Sequence, residues 1–130
     1  MIVVDASAAV ELLLRTKKGV RVADRIANDG GPVFAPHLID PEVMQAFRDL
    51  VRRKQIELPH AEEALAVFAK MPLHRVPHAV LWTRMWALRE NVSAYDATYV
   101  VVAELLGATL ITCDGRLSRA PKLNTTIELF

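Results

Sequence analysis

Short apolar runs alternate along this chain with amphipathic stretches, and that alternation gives the first outline of a fold. Ile2-Val3-Val4 is a β-branched run ending at Asp5, and it reads as a buried strand. Ser7 to Leu14 reads as a helix with Val10, Leu13 and Leu14 on its apolar side. Gly19 to Asn28 is a second helix, stopped by Gly30-Gly31. Val33-Phe34-Ala35 is a second strand. After Pro36, Asp40-Pro41-Glu42 has the chemistry of a helix start: an acid at the N-cap, proline at the first helical position, then another acid. Val43, Ala46, Phe47, Leu50 and Val51 follow at helical spacing, with Arg48, Arg52 and Arg53 off the stripe. Pro59 opens a further helix with Ala61, Leu65 and Phe68 on one side, and Leu73 to Val76 is a third strand. Pro77 starts a helix carrying Leu81, Met85 and Leu88, with Trp82 and Trp86 one turn apart. Ser93 begins another, Ala94 to Leu106, apolar nearly all round and therefore expected to be buried, with Gly107 as its stop. Leu110-Ile111-Thr112 is a fourth strand, ending near Asp114, and Thr126 to Leu129 a fifth.

Strands this short and this apolar, alternating with helices, indicate a parallel sheet covered on both faces. The expectation is an α/β fold: a three-layer α/β/α sandwich around a mostly parallel sheet of about five short strands. At 130 residues the chain suits one domain, 1–130, with a core large enough to need no disulfide. A hydrophobic fraction of 52% excludes a disordered chain. The lone Cys113 permits no intrachain disulfide, which suits a reducing cytoplasm. The start of the chain lacks the basic region of a secretory signal, and the apolar stretch Ala97 to Ala103 is far short of the roughly 20 residues that span a membrane. His37, His60, His74 and His78 have no metal-ligand spacing with each other or with Cys113, so zinc is not expected.

Ligands of an open parallel sheet bind beyond the carboxyl ends of its strands. Asp5 closes the first strand there and Asp114 follows the fourth. Glu42 lies in the first turn of the helix after the second strand, and Asp96 in the first turn of the helix that Ser93 opens. Each has a plainer reading of its own. Asp5 can be a helix N-cap, Ser93 to Asp96 a capping box, Glu42 a complement to a helix dipole, and Asp114-Gly115 a turn. Those readings explain each acid alone and leave the gathering of all four unexplained. Grouped carboxylates raise one another's pKa and call for compensation, and a hard divalent cation is the usual one. All-oxygen ligation selects Mg²⁺ or Mn²⁺, whose chemistry at a phosphorus centre is phosphodiester hydrolysis.

Four segments carry a family likeness. They are Val3-Val4-Asp5-Ala6-Ser7, Glu42-Val43 with Ala46-Phe47-Arg48, Ser93-Ala94-Tyr95-Asp96-Ala97-Thr98-Tyr99-Val100, and Leu110-Ile111-Thr112-Cys113-Asp114-Gly115-Arg116-Leu117. The chain resembles PIN-domain ribonucleases, and among them the VapC-type toxins of toxin–antitoxin pairs, over nearly its whole length. The last two segments, with Glu104-Leu105-Leu106-Gly107 between them, are the specific ones. The resemblance implies that Asp5, Glu42, Asp96 and Asp114 form the acidic quartet that binds metal and catalyses, with Thr112 and Ser7 in support. Asp40 is an extra acid beside Glu42. The resemblance further implies Mg²⁺-dependent endonucleolytic cleavage of RNA to a 3′-hydroxyl and a 5′-phosphate. It implies a homodimer too, and neutralisation by an antitoxin protein that lays a segment over the site and places a basic side chain in it.

Two basic groups are candidate RNA contacts: Arg15, Lys17 and Lys18 with Arg21, and Arg116 and Arg119 with Lys122. An ordinary solvated face is the plainer reading of both. Trp82 and Trp86 have the chemistry to stack on bases, but core or interface packing is the expectation, and Tyr95 and Tyr99 read as packing residues. Cys113 reads as a small buried hydrophobe. A phosphoacceptor receiver domain is disfavoured because residues 50–56 hold no acid, and a haloacid-dehalogenase phosphatase because Asp5-Ala6-Ser7 lacks a second aspartate. A non-catalytic module that binds RNA or a partner is the remaining alternative. The 16 basic and 15 acidic residues give a net charge of +1, which at first argues against a nucleic-acid partner. Setting the quartet aside leaves 11 acids against 16 basic residues, a surface near about +5.

Overall fold

The computed structural model describes residues 1–130 as a five-stranded, wholly parallel sheet flanked by helices. In chain order the strands are β1 (Ile2–Val4), β2 (Val33–Pro36), β3 (Leu73–Val76), β4 (Thr109–Thr112) and β5 (Ile127–Leu129). The helices are α1 (Ala6–Leu14), α2 (Lys17–Asp29), α3 (Ile39–Arg52), α4 (Leu58–Lys70), α5 (Trp82–Ala87), α6 (Ala94–Leu106) and α7 (Gly115–Ser118). The strands lie in the order β3-β2-β1-β4-β5. β1 therefore sits at the centre, with Val3 in register with Phe34 on one side and Leu110 on the other. The chain steps outward from β1 in one direction through β2 and β3, then crosses back to β4 and β5. The crevice at the carboxyl ends of β1 and β4 is thus the switch point at which such sheets receive ligands.

Burial explains why β1 is wholly apolar and β4 is polar only at its ends. Ile2, Val3, Val4, Leu110 and Ile111 are all essentially inaccessible and belong to one cluster of buried apolar side chains. The helix Ala94–Leu106 is buried from Ala97 to Ala103, as its all-round apolar character predicts. Gly107 ends it with a φ of 60°, a left-handed conformation that costs glycine little and a side chain much. A second glycine is required by proximity. At Gly19 a Cβ would stand 1.9 Å from the Glu11 carbonyl oxygen, so α1 and α2 meet there backbone to backbone.

Four expectations need correction. The helix expected from Asp40 begins one residue earlier, at Ile39, and no side chain of its own caps it. Instead the Leu38 N–H donates to Nε2 of His78, across from the segment after β3. Asp40 lies inside the first turn and pairs through two oxygens with the guanidinium of Arg75 on β3, at 2.7–3.0 Å. The helix expected from Pro77 is a 3-10 turn, His78–Leu81, followed by the short α5. Leu81 and Leu88 bury as expected, but Trp82 and Trp86 are 72% and 71% exposed, which excludes a core role. Tyr95 is likewise exposed rather than packed. No helix is long and apolar enough to cross a membrane.

Candidate active site

Each of the four acids owes its place to the start of a helix. Asp5 is the N-cap of α1, Asp114 is the N-cap of α7, and Glu42 and Asp96 lie in the first turns of α3 and α6. The plainer readings hold in part: Asp5 Oδ1 accepts from the Ala8 N–H as an N-cap does, Ser93 Oγ accepts from the Asp96 N–H without the return bond of a full capping box, and Asp114 caps α7 through the Arg116 N–H where a turn was expected. They do not exhaust these residues. The four carboxylates line one cavity of about 410 Å³ at the carboxyl edge of the sheet, with Ser7, Tyr99 and Arg116. Four helix N-termini converge there, and their exposed N–H groups offset part of the accumulated negative charge.

Asp5 is the deepest of the four, 6% exposed, and both its oxygens accept hydrogen bonds. The Thr112 hydroxyl donates to Oδ2 at 2.5 Å and the Ser7 hydroxyl to Oδ1 at 2.7 Å. Thr112 and Ser7 then turn to β4. Thr112 Oγ1 accepts from the Asp114 N–H and Ser7 Oγ from the Cys113 N–H. The two supporting hydroxyls thus join the end of β1 to the end of β4 and fix Asp5 relative to Asp114. Glu42 makes one side-chain hydrogen bond, accepting from the Tyr99 hydroxyl at 2.5 Å.

Burial pushes the pKa values of Asp5, Glu42 and Asp96 up, and neighbouring carboxylates add to the rise in each case. Burial is the larger cause, where the sequence pattern pointed to mutual repulsion. Asp114 goes the other way. Arg116 holds it below the ordinary value through hydrogen bonds and charge, with Nη2 at 3.0 Å from Oδ2. No ion pair of the molecule reaches Asp5, Glu42 or Asp96. The donor set is oxygen only, hard and in excess negative charge, which fits a hard divalent cation. No three acidic, histidine or cysteine side chains stand close enough together to form a finished cage.

The other expected residues divide. Asp40 is outside the cavity and committed to Arg75, so it does not share the Glu42 position. Arg116 is neutralising Asp114 while its side chain stays 87% exposed. Arg119, Arg15, Lys17 and Lys18 are exposed, and Lys18 and Arg21 are near enough for their charges to act on Cys113. That thiol is nonetheless pushed up, chiefly by burial, so no thiolate is stabilised. Tyr99 is the residue that pattern reading missed. Its ring is packed as expected, but its hydroxyl belongs to the site, and the available signal was its spacing of three from Asp96, one helical turn.

A family model described as PIN domain matches residues 2–123. "Ribonuclease VapC12" of Mycobacterium tuberculosis is 43% identical over 129 residues, covering 99% of this chain and 98% of that protein. "Ribonuclease VapC9" of the same species is 38% identical over 120 residues, covering 91% and 89%. Among solved structures, M. tuberculosis VapC20, described as a sarcin-ricin loop cleaving toxin, superposes with a TM-score of 0.65 at 21% identity, covering 91% of this chain and 93% of that one. A Rickettsia felis VapBC2 complex bound to a DNA fragment from its promoter gives 0.64 at 14% identity, covering 99% and 98%. At these identities the structures speak for the fold.

Proposed function

The chain belongs to the PIN-domain family, among the VapC ribonucleases, and from that premise we propose that it is the toxin of a toxin–antitoxin pair, a divalent-metal-dependent endoribonuclease. The observation that carries the reading is the convergence of Asp5, Glu42, Asp96 and Asp114, from four distant segments, on one cavity at the switch point of the sheet. Asp5, Glu42, Asp96 and Asp114 would hold Mg²⁺, or Mn²⁺ in its place. When bound, the ion supplies Lewis acidity for hydrolysis of an RNA phosphodiester.

The chain's own residues do the rest. Asp5, locked by Thr112 and Ser7, gives the site a rigid floor. Arg116 stands at the rim, where its exposed guanidinium can exchange the Asp114 carboxylate for an RNA phosphate. Lys18 and Arg21 extend positive charge on the Cys113 side, and Arg15, Lys17 and Arg119 add to it more loosely. The protein partner is an antitoxin, and a basic side chain of that partner suits the three unneutralised carboxylates. The work is cytoplasmic. A second copy is the natural cover for the groove that exposed Trp82 and Trp86 line with Met85 and Val92. Aromatic side chains bury roughly 150–250 Å² each, so this face alone offers a large share of the roughly 800 Å² per partner of a stable interface. Sedimentation of the Trp82→Ala/Trp86→Ala variant should show a monomer where the parent protein is a dimer.

The deciding experiment is cleavage of RNA by purified protein with Mg²⁺, with EDTA, and after Asp96→Ala. Loss of cleavage in both latter cases is expected, with an unchanged fold by circular dichroism. Full activity in EDTA would sink the metal reading. A non-catalytic module that acts by binding RNA or a partner predicts that Asp96→Ala still inhibits growth.

A further inference from the structure

Tyr99 has a hydroxyl that packing alone does not require. The residue is 2% exposed and lies on α6, one turn after Asp96. From α6 it reaches across to α3 and donates to Glu42 Oε2, the only hydrogen bond that carboxylate makes to another side chain. Two acid-bearing helices therefore meet at one hydroxyl. Glu42 is half-buried with no arginine or lysine paired to it, and a glutamate has several rotatable bonds with which to leave the cavity for water.

We propose that Tyr99 is a positioning residue for Glu42: the phenol fixes the carboxylate in the cavity through Oε2 and leaves Oε1 free to face a cation. Outer partners of this kind commonly change the metal affinity of a carboxylate or histidine site by about 10–100-fold. The half of the inference that concerns the cation rests on the metal-dependent reading above. The half that concerns the order of the Glu42 side chain does not.

The full chain carrying Tyr99→Phe keeps the ring and loses only the hydroxyl. Two measurements follow on protein stripped with EDTA. Calorimetric titration with Mn²⁺ alone should show binding weakened about 10–100-fold. In cation-free protein, ¹³C relaxation of the Glu42 side chain should report a marked gain in motion. A Glu42→Ala variant should weaken Mn²⁺ comparably, with Tyr99→Phe adding nothing on top of it. A Glu42→Gln variant, which keeps an acceptor for the phenol and needs no change at Tyr99, should keep its side chain ordered. Unchanged Glu42 order in Tyr99→Phe, or fully additive losses of Mn²⁺ affinity in the double variant, would overturn the proposal. If the parent protein itself takes up no Mn²⁺, the metal reading fails, and the relaxation data still decide the role of Tyr99.

Discussion

Thr112 shows how much one hydroxyl can hold. It is wholly buried, donates to Asp5 and accepts from the Asp114 N–H. Valine matches its shape and satisfies neither group, so Thr112→Val should cost about 2 kcal/mol in urea unfolding, within the range for stranded buried polar groups. It should also lower RNA cleavage more than that loss of stability explains, because Asp5 loses its anchor. The acids make an opposite statement about stability. Asp5, Glu42 and Asp96 have pKa values above their ordinary 3.8, 4.5 and 3.8. In that window the native state binds more protons than the unfolded chain. Their contribution is therefore fully present below the ordinary values and is lost as pH rises through the raised ones. Cation-free protein should become less stable as pH climbs from about 4 toward neutrality. Asp96→Asn should flatten that decline and raise the melting temperature at neutral pH, while abolishing cleavage. A steeper decline in Asp96→Asn would contradict the assignment. Asp114, held low by Arg116, follows the reverse sign and loses its contribution as pH falls.

At the scale of the elements, pattern was most readable where the environment is uniform. β1, β4 and the middle of α6 are buried, so apolar runs marked them and Gly107 marked an end. The carboxylates were legible for a related reason, since a charge at the end of a buried strand needs a purpose. Reading failed where a remote partner decides local structure. The start of α3 is set by His78, forty residues away, and not by Asp40. The break between the 3-10 turn and α5 has no counterpart in the apolar spacing of Leu81, Met85 and Leu88. Tyr99 was legible as a core residue and illegible as a hydrogen-bond donor, because its acceptor is on another helix. The contact of α1 with α2 was hidden in the same way. With a methyl group at Gly19 colliding with the Glu11 carbonyl, Gly19→Ala should cost about 3 kcal/mol by forcing the helices apart. Denaturant unfolding measures it, and a loss under a few tenths would mean that the hairpin relaxes freely.

For the molecule as a whole, the near-neutral charge conceals a division of labour. Negative charge is concentrated in one cavity, and Arg15 at the end of α1 with Lys17 and Lys18 at the start of α2 are exposed outside it. Single-stranded RNA binding loses about 0.7 in salt slope per phosphate contact removed. Replacing those three residues with alanine should lower the slope of log affinity against log salt by about 2 if all three touch phosphate. An unchanged slope would make them an ordinary solvated face.

The sheet order carries a consequence in time. β1 is made first, yet it lies between β2 and β4, and the acid that follows β4 comes 109 residues after Asp5. At roughly 5–20 residues per second, a ribosome separates the two by about 5 to 20 seconds. No contiguous fragment short of β4 holds the cavity. A chain that stops before Asp114 therefore lacks the assembled quartet, which is complete only when the fourth strand closes against the first.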